Sequence, residues 1–391
     1  MPHVLSGELT DMDAWLAKTR LVVCVGSGGV GKTTTSASIA LYAAIHGRKV
    51  MVLTIDPARR LANSLGLKQF GNAEHQIDLS GIPESSGELW AMMLDSRSTF
   101  DALIERVSPS PEARDRILKN HVYRHMADTF AGSQDYMATE KLYDIVSSGK
   151  YDLVVLDTPP VKNALDFLES PGRLINFLDE RVLKWFLEPV RTGFAARLMA
   201  GTSAIVYKLL GVVFGDDFLD DLSTFFREFQ GLYAGFVERH DQVVSLFTGE
   251  HTSFVTVCAP TESSLDVAVF FQEELAKRDL PRGGVVVNQV HRCETATHDA
   301  RAVLGALAHA TTADGQPFAE PTISSVLARL GMAHRRLRAL AEAEGRLVER
   351  LRIAAKGGGF YQMVERQEED VHDVLALAKV GRRIFRPAEV L

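Results

Sequence analysis

Continuous apolar runs of strand length recur along the chain: Leu21–Val25, Val50–Ile55, Leu89–Leu94, Leu153–Leu156, Phe254–Cys258 and Val285–Val287. Runs without polar alternation are expected of strands buried on both faces. Between them lie helical patterns. Thr34 to His46 is alanine-rich and closes on Gly47-Arg48-Lys49, a stop signal. Residues 96–150 read as mostly helical, broken at Ser108-Pro-Ser-Pro111, and 162–248 contains helical pattern with no convincing strand. A charged helix around 333–355 ends at Gly357-Gly-Gly359, followed by a strand at Phe360–Val364 and a closing helix at Asp370–Val380. Strands separated by helices predict an α/β fold with a doubly wound, mostly parallel sheet. The expected organisation is one domain over residues 1–391, with a helical insertion formed by 96–150 and 162–248.

Within that insertion, Phe218, Leu222, Phe225, Phe229, Leu232 and Phe236 fall at alternating steps of four and three, giving one apolar helix stripe. Leu198 to Phe214 is largely apolar but interrupted by Thr202, Ser203 and Lys208, so it falls short of a membrane span. Both stretches suit either a helical core or a wall of a hydrophobic groove. The terminal segment from Asp370 to Arg386 is amphipathic and ends basic, a pattern shared by the last helix of a doubly wound sheet and by membrane-surface helices.

Composition narrows the class without naming a function. The 391 residues are 46% hydrophobic and 24% charged, ordinary for a soluble globular protein. A formal net charge of −7 argues against nucleic acid as a partner. Cys24, Cys258 and Cys293 are far apart and form no C-x-x-C, so neither a disulfide framework nor a zinc site is expected. His291 and Cys293 alone make a poor metal site. The first residues lack the basic and apolar regions of a signal peptide, and a cytoplasmic location, or a peripheral one at a membrane, is expected.

The strand Leu21–Val25 runs into Gly26-Ser27-Gly28-Gly29-Val30-Gly31-Lys32-Thr33-Thr34. This is a phosphate-binding loop pattern set between a strand and a helix, where backbone N–H groups and a helix N-terminus converge on phosphate oxygens. Gly28, Gly29, Val30, Gly31, Lys32 and Thr33 would donate backbone hydrogen bonds, Thr34 would reach the α-phosphate, and Lys32 would meet the β- and γ-phosphates as a point charge. The Thr33 hydroxyl suits Mg²⁺, which takes oxygen ligands. Asp56 and Asp157 end two buried strands within reach of such a loop; Asp95 also ends a strand but reads as a helix cap.

The chain resembles the ArsA family of P-loop ATPases, the anion-transporting or arsenical-pump ATPases, which includes ATPases that target tail-anchored membrane proteins. Gly28-Gly-Val-Gly-Lys-Thr-Thr34 is similar to the family's deviant Walker A core. Thr54-Ile-Asp56-Pro57-Ala58 resembles its first switch, and Asp157-Thr-Pro-Pro160 with Ala164-Leu165 its second. The resemblance implies ATP and Mg²⁺ as cofactors, Asp56 as the catalytic residue that activates water alongside Lys32, and Asp157 in the Mg²⁺ shell through water, with Thr33 as direct ligand. It implies that Asn288, in Val287-Asn288-Gln289, reads adenine, with a weaker match at Arg366-Gln367. It further implies a homodimer or a heterodimer with a related ATPase, and a hydrophobic membrane-protein client.

This chain departs from the family at several points. Ser27 stands where the family usually has a second lysine that reaches the partner's nucleotide, the paired zinc cysteines are absent, and Asn163 and Asp166 replace a His and an Arg common in the targeting branch. The three scattered thiols form no soft cluster for arsenite. The expected activity is ATP hydrolysis coupled to rearrangement of the helical insertion. A weakly hydrolytic regulatory or scaffold protein and a membrane-surface positioning ATPase are the alternatives.

Overall fold

In a computed structural model, the structure describes residues 11–55, 60–67, 72–83, 85–120, 123, 134–158, 232–293, 305–306, 309, 311, 316, 319–354, 359–367 and 369–386. Asp56, Asn163, Asp166, the segment 198–214 and most of the Phe stripe lie outside them.

Among the described residues eight strands form one sheet: β1 (Leu21–Val25), β2 (Lys49–Thr54), β3 (His75–Gln76), β4 (Glu88–Met93), β5 (Leu153–Asp157), β6 (Thr252–Cys258), β7 (Arg282–Val290) and β8 (Phe360–Glu365). Their order across the sheet is β3-β4-β2-β5-β1-β6-β7-β8. Every neighbouring pair is parallel except the short edge strand β3, which runs antiparallel to β4. The apolar runs thus give the doubly wound sheet their pattern predicts. The two-residue strand β3 carries no apolar run, which is why the pattern misses it.

The helices among the described residues are α1 (Met12–Lys18), α2 (Lys32–Ile45), α3 (Arg60–Ser64), α4 (Ser96–Val107), α5 (Pro111–Lys119), α6 (Gln134–Ser147), α7 (Tyr233–Thr248), α8 (Glu262–Lys277), α9 (Glu320–Ala354) and α10 (Val374–Phe385). Strand side chains alternate between the two sheet faces. Val22, Cys24, Val50 and Val52 pack with α2 and with Leu377 and Ile384 of α10. Leu21, Val23, Met51 and Leu53 pack with Leu142 of α6, Phe247 of α7 and Phe271 of α8. Helices α6 and α7 therefore seat directly on the sheet.

Local signals set several boundaries. Asp95 accepts a hydrogen bond from the Ser98 backbone N–H at 2.7 Å, capping α4 as its strand-end position predicts. Ser110 caps α5 with Pro111 at its first turn, so the Ser-Pro-Ser-Pro break separates two helices. Several helix boundaries move. α10 begins at Val374 and not at Asp370, because Asp373 caps it by accepting from the Ala376 N–H at 2.7 Å. α9 begins at Glu320, well before 333, and runs 35 residues. The amphipathic side of α10 is used internally: Leu377, Val380, Ile384 and Phe385 are buried, and Phe385 stacks on Tyr42 of α2 with ring centroids 4.0 Å apart.

Candidate nucleotide site

The loop between β1 and α2 lies at the carboxyl edge of the sheet's centre, where open α/β sheets gather ligands. Two of its glycines are required by shape. A Cβ on Gly26 would sit 2.0 Å from the Val257 carbonyl oxygen of β6. Gly31, with φ of +91°, is the N-cap of α2, and a Cβ there would lie 2.2 Å from the Asn288 amide nitrogen. At Gly26 and Gly31 the chain passes against β6 and the end of β7 with no room for a side chain. Gly28 and Gly29 are exposed, Val30 is buried, and Thr33 and Thr34 are half-buried in the first turn. Helix α2 begins at Lys32, two residues before the Thr34 start that the alanine-rich run suggests.

Lys32 is buried, and its ammonium donates to the Ser27 carbonyl at 2.8 Å, so the charge lies back across the loop. Asp157, at the end of β5, is wholly buried. Its Oδ2 accepts from the Thr33 hydroxyl at 2.8 Å and from the Thr54 hydroxyl of β2 at 3.0 Å. One carboxylate therefore joins the phosphate loop to the strand that leads into Asp56. The backbone adds to this join: the Ile55 N–H donates to the Asp157 carbonyl at 3.3 Å. Thr158 donates its hydroxyl to the Cys24 carbonyl at 2.7 Å, fixing the chain just past Asp157 against β1.

The donor set fits Mg²⁺. A hydroxyl that gives its proton to a carboxylate keeps lone pairs for a cation, and hard cations bind oxygen. Thr33 would hold the ion directly and Asp157 would hold its water shell. Bound there, Mg²⁺ neutralises charge on phosphate oxygens. The soft group nearby is inert: burial pushes the Cys24 thiol up to about 12, with the Asp157 charge adding to the effect.

Asn288 and Gln289 close the loop from the other side. The Asn288 amide donates to the Val30 carbonyl at 2.9 Å and the Gln289 amide to the Gly29 carbonyl at 3.1 Å. The β7–β8 register shifts between Val287 and Val290, and Gln289 has a φ of +63°, so a local bulge aims both side chains at the loop. His291 then donates its backbone N–H to the buried Glu344 of α9 at 2.8 Å, and its Nδ1 lies 2.8 Å from the other Glu344 oxygen. Gln367 bonds the Glu365 carbonyl at 2.6 Å, and Arg366 donates its N–H to Val290 at 3.0 Å. The Ser27 hydroxyl pairs with that of Ser264 at 3.1 Å, and Ser264 also accepts from the Ala259 N–H at 3.0 Å. Ser27 thus points into its own chain.

Sequence reasoning missed Thr54, Gln289, Ser264 and Glu344. Thr54 and Gln289 stand beside motif residues, a local signal. Ser264 and Glu344 join the site only through folding.

Comparison with known proteins agrees with this geometry. A family model described as Anion-transporting ATPase matches residues 19–303. An ATPase GET3 of Podospora anserina is 27% identical over 272 residues, covering 69% of this chain and 73% of that protein. An ATPase ASNA1 homolog of Trypanosoma cruzi is 26% identical over 310 residues, covering 73% and 78%. An ATPase get3 of Neurospora crassa is 28% identical over 273 residues, covering 69% and 73%. With the phosphate loop, the strand-end carboxylate and a family match across most of its length, the chain belongs to the anion-transporting (ArsA) ATPase family, and it is an ATPase that uses ATP with Mg²⁺.

Proposed function

We propose that this ATPase couples hydrolysis to rearrangement of its helical block, residues 96–150 and 162–248, and that the block holds a hydrophobic membrane-protein helix of the tail-anchored kind. The observation that carries this reading is the Asp157 carboxylate, which holds Thr33 of the phosphate loop and Thr54 of β2 at once. A change in charge at the loop acts on a group that also anchors the strand leading to Asp56, and that stands at the entrance to the block after β5. Asp56 orients the attacking water, Lys32 and the loop amides stabilise charge on the γ-phosphate, and Asn288 contacts adenine. The family to which the chain belongs, which includes ATPases that target tail-anchored membrane proteins, supports the client class and a dimeric assembly, identical or with a related ATPase.

Among the described residues no helix is long and apolar enough to cross a membrane. The orientation of Ser27 favours slow hydrolysis by the isolated chain. A cation supplied to a transferring phosphoryl group is worth ~10³-fold or more in rate, and Ser27 supplies none.

Asp56→Asn is expected to abolish steady-state phosphate release while ATP affinity stays within about threefold. A labelled peptide with one apolar helix long enough to span a bilayer is expected to bind differently in Mg²⁺-ATP and in Mg²⁺-ADP. Equal affinity in both states would sink the coupling, and full turnover by Asp56→Asn would remove Asp56 from its role.

A further inference from the structure

Helix α9 spans 35 residues, a length of about 52 Å. Among the described residues its last third is packed, with Leu347, Val348 and Leu351 joining Leu265 and Ala268 of α8 and Val287 of β7 in a buried cluster, and His334 lies 3.8 Å from the Cys293 sulfur. The preceding two-thirds stand exposed. Yet the apolar seam does not stop where the packing stops. Ile323, Val326, Leu330, Ala333, Leu337 and Leu340 continue it at alternating steps of three and four. Leu330 is 52% exposed, Leu337 38% and Leu340 43%. This is the a/d repeat of a coiled coil over about three heptads; past Glu344 at the next a position, Leu347 and Leu351 carry the same register into the packed third.

The flanks of the seam carry one sign of charge. Arg329 and Arg336 occupy successive g positions, Arg335 and Arg338 lie nearby, and no acidic residue occurs from Pro321 to Ala341. Among the described residues Arg338 pairs with Glu342 at 2.9 Å, while Arg329, Arg335 and Arg336 are exposed and have no ion pair. Two copies of this helix set against each other would bring like charges together with no carboxylate to offset them, which disfavours self-pairing. A bilayer is a poorer match for another reason. A strict seven-residue repeat drifts by about 20° per heptad around a straight helix, so the stripe winds around the axis and suits a supercoiled partner, not a flat surface.

We propose that the exposed part of α9 is a docking rail for an acidic amphipathic helix of a separate polypeptide, which pairs with it as a coiled coil. Leucines of the seam supply the interface, and Arg329 and Arg336 select glutamates or aspartates on the partner's flanks. The rail begins where Glu344, at the next a position, is fixed by His291 near the nucleotide loop, so a partner seated on it stands on a rigid footing.

The test uses the full-length protein and two fluorescent peptides about 28 residues long, both with Ile and Leu at a and d, one with Glu and one with Lys at e and g. The Glu peptide is expected to bind at least tenfold more tightly than the Lys peptide, by anisotropy, and to weaken as salt rises. Leu330→Glu with Leu337→Glu is expected to weaken it at least tenfold, with circular dichroism and ATP binding unchanged, since both positions are exposed. Arg329→Glu with Arg336→Glu is expected to reverse the preference toward the Lys peptide. Equal binding of both peptides, no effect of the leucine substitutions, or binding only to anionic phospholipid vesicles would overturn the proposal. So would light scattering that shows the leucine variant losing a dimer the wild type forms alone, which would assign the seam to self-pairing.

Discussion

Thr54→Val isolates the join between the phosphate loop and β2. Valine matches threonine in shape and suits a strand, so the buried position, 1% exposed, keeps its packing and loses one hydroxyl. That hydroxyl donates to Asp157 Oδ2 at 3.0 Å, in a site where the carboxylate is wholly buried. A hydrogen bond to a charged acceptor contributes about 1.5–3 kcal/mol. If that energy holds the carboxylate in the orientation that Mg²⁺ requires, its loss corresponds to a roughly ten- to hundredfold rise in the Mg²⁺ concentration for half-maximal turnover. ATP affinity without Mg²⁺ is expected to stay within about twofold, because Lys32 and the loop amides are untouched. The assay is steady-state phosphate release against Mg²⁺ at fixed ATP, paired with nucleotide binding in chelator. An unchanged Mg²⁺ dependence and unchanged turnover in a folded Thr54→Val protein would refute the role given to Thr54. A fall in ATP affinity equal to the loss of turnover would show damage to the loop itself.

Gly31→Ala is expected to abolish nucleotide binding, measured by calorimetry, because its Cβ would fall 2.2 Å from the Asn288 amide at a φ of +91°; wild-type affinity would contradict the close approach. Arg239→Ala is expected to destabilise the fold by about 3–5 kcal/mol in urea unfolding, since it removes the guanidinium bonded at 2.6 Å to the buried Glu140. A change in stability below about 1 kcal/mol would mean that this pair does not tie α6 to α7. Thiol titration at neutral pH is expected to label Cys293 alone, and all three cysteines after denaturation, because Cys24 and Cys258 are buried. Burial pushes both of those thiols from 9.0 up to about 12, so they ionise first in the unfolded chain. Their contribution to stability is complete below pH 9 and is lost as pH rises toward about 12; an alkaline slope equal in Cys24→Ala and wild type would exclude Cys24 as its source.

The central strands β1, β2, β5 and β6 are legible because they are buried on both faces, which leaves nearly unbroken apolar runs. The phosphate loop was legible because Gly26 and Gly31 fill places where any Cβ collides. Helix α9 was read short because its first part is neither a buried helix nor a polar surface one. Its leucines face outward, which a pattern built on burial does not expect. The terminal helix shows the reverse case: its pattern fits a membrane or the sheet's own helix layer, and only the stack of Phe385 on Tyr42 decides for the layer.

By itself the sequence determined the longer strands of the sheet and the glycine loop at its centre. Those features depend on spacing within a few residues, where backbone geometry leaves little freedom. The tertiary structure alone decided that Asp157 serves Thr33 and Thr54 together, that Asn288 and Gln289 hold the loop from β7, and that Glu344 of a distant helix fixes the segment beside them. These contacts join positions far apart in the chain, and their energy depends on a distance that only the closed fold brings within hydrogen-bond range.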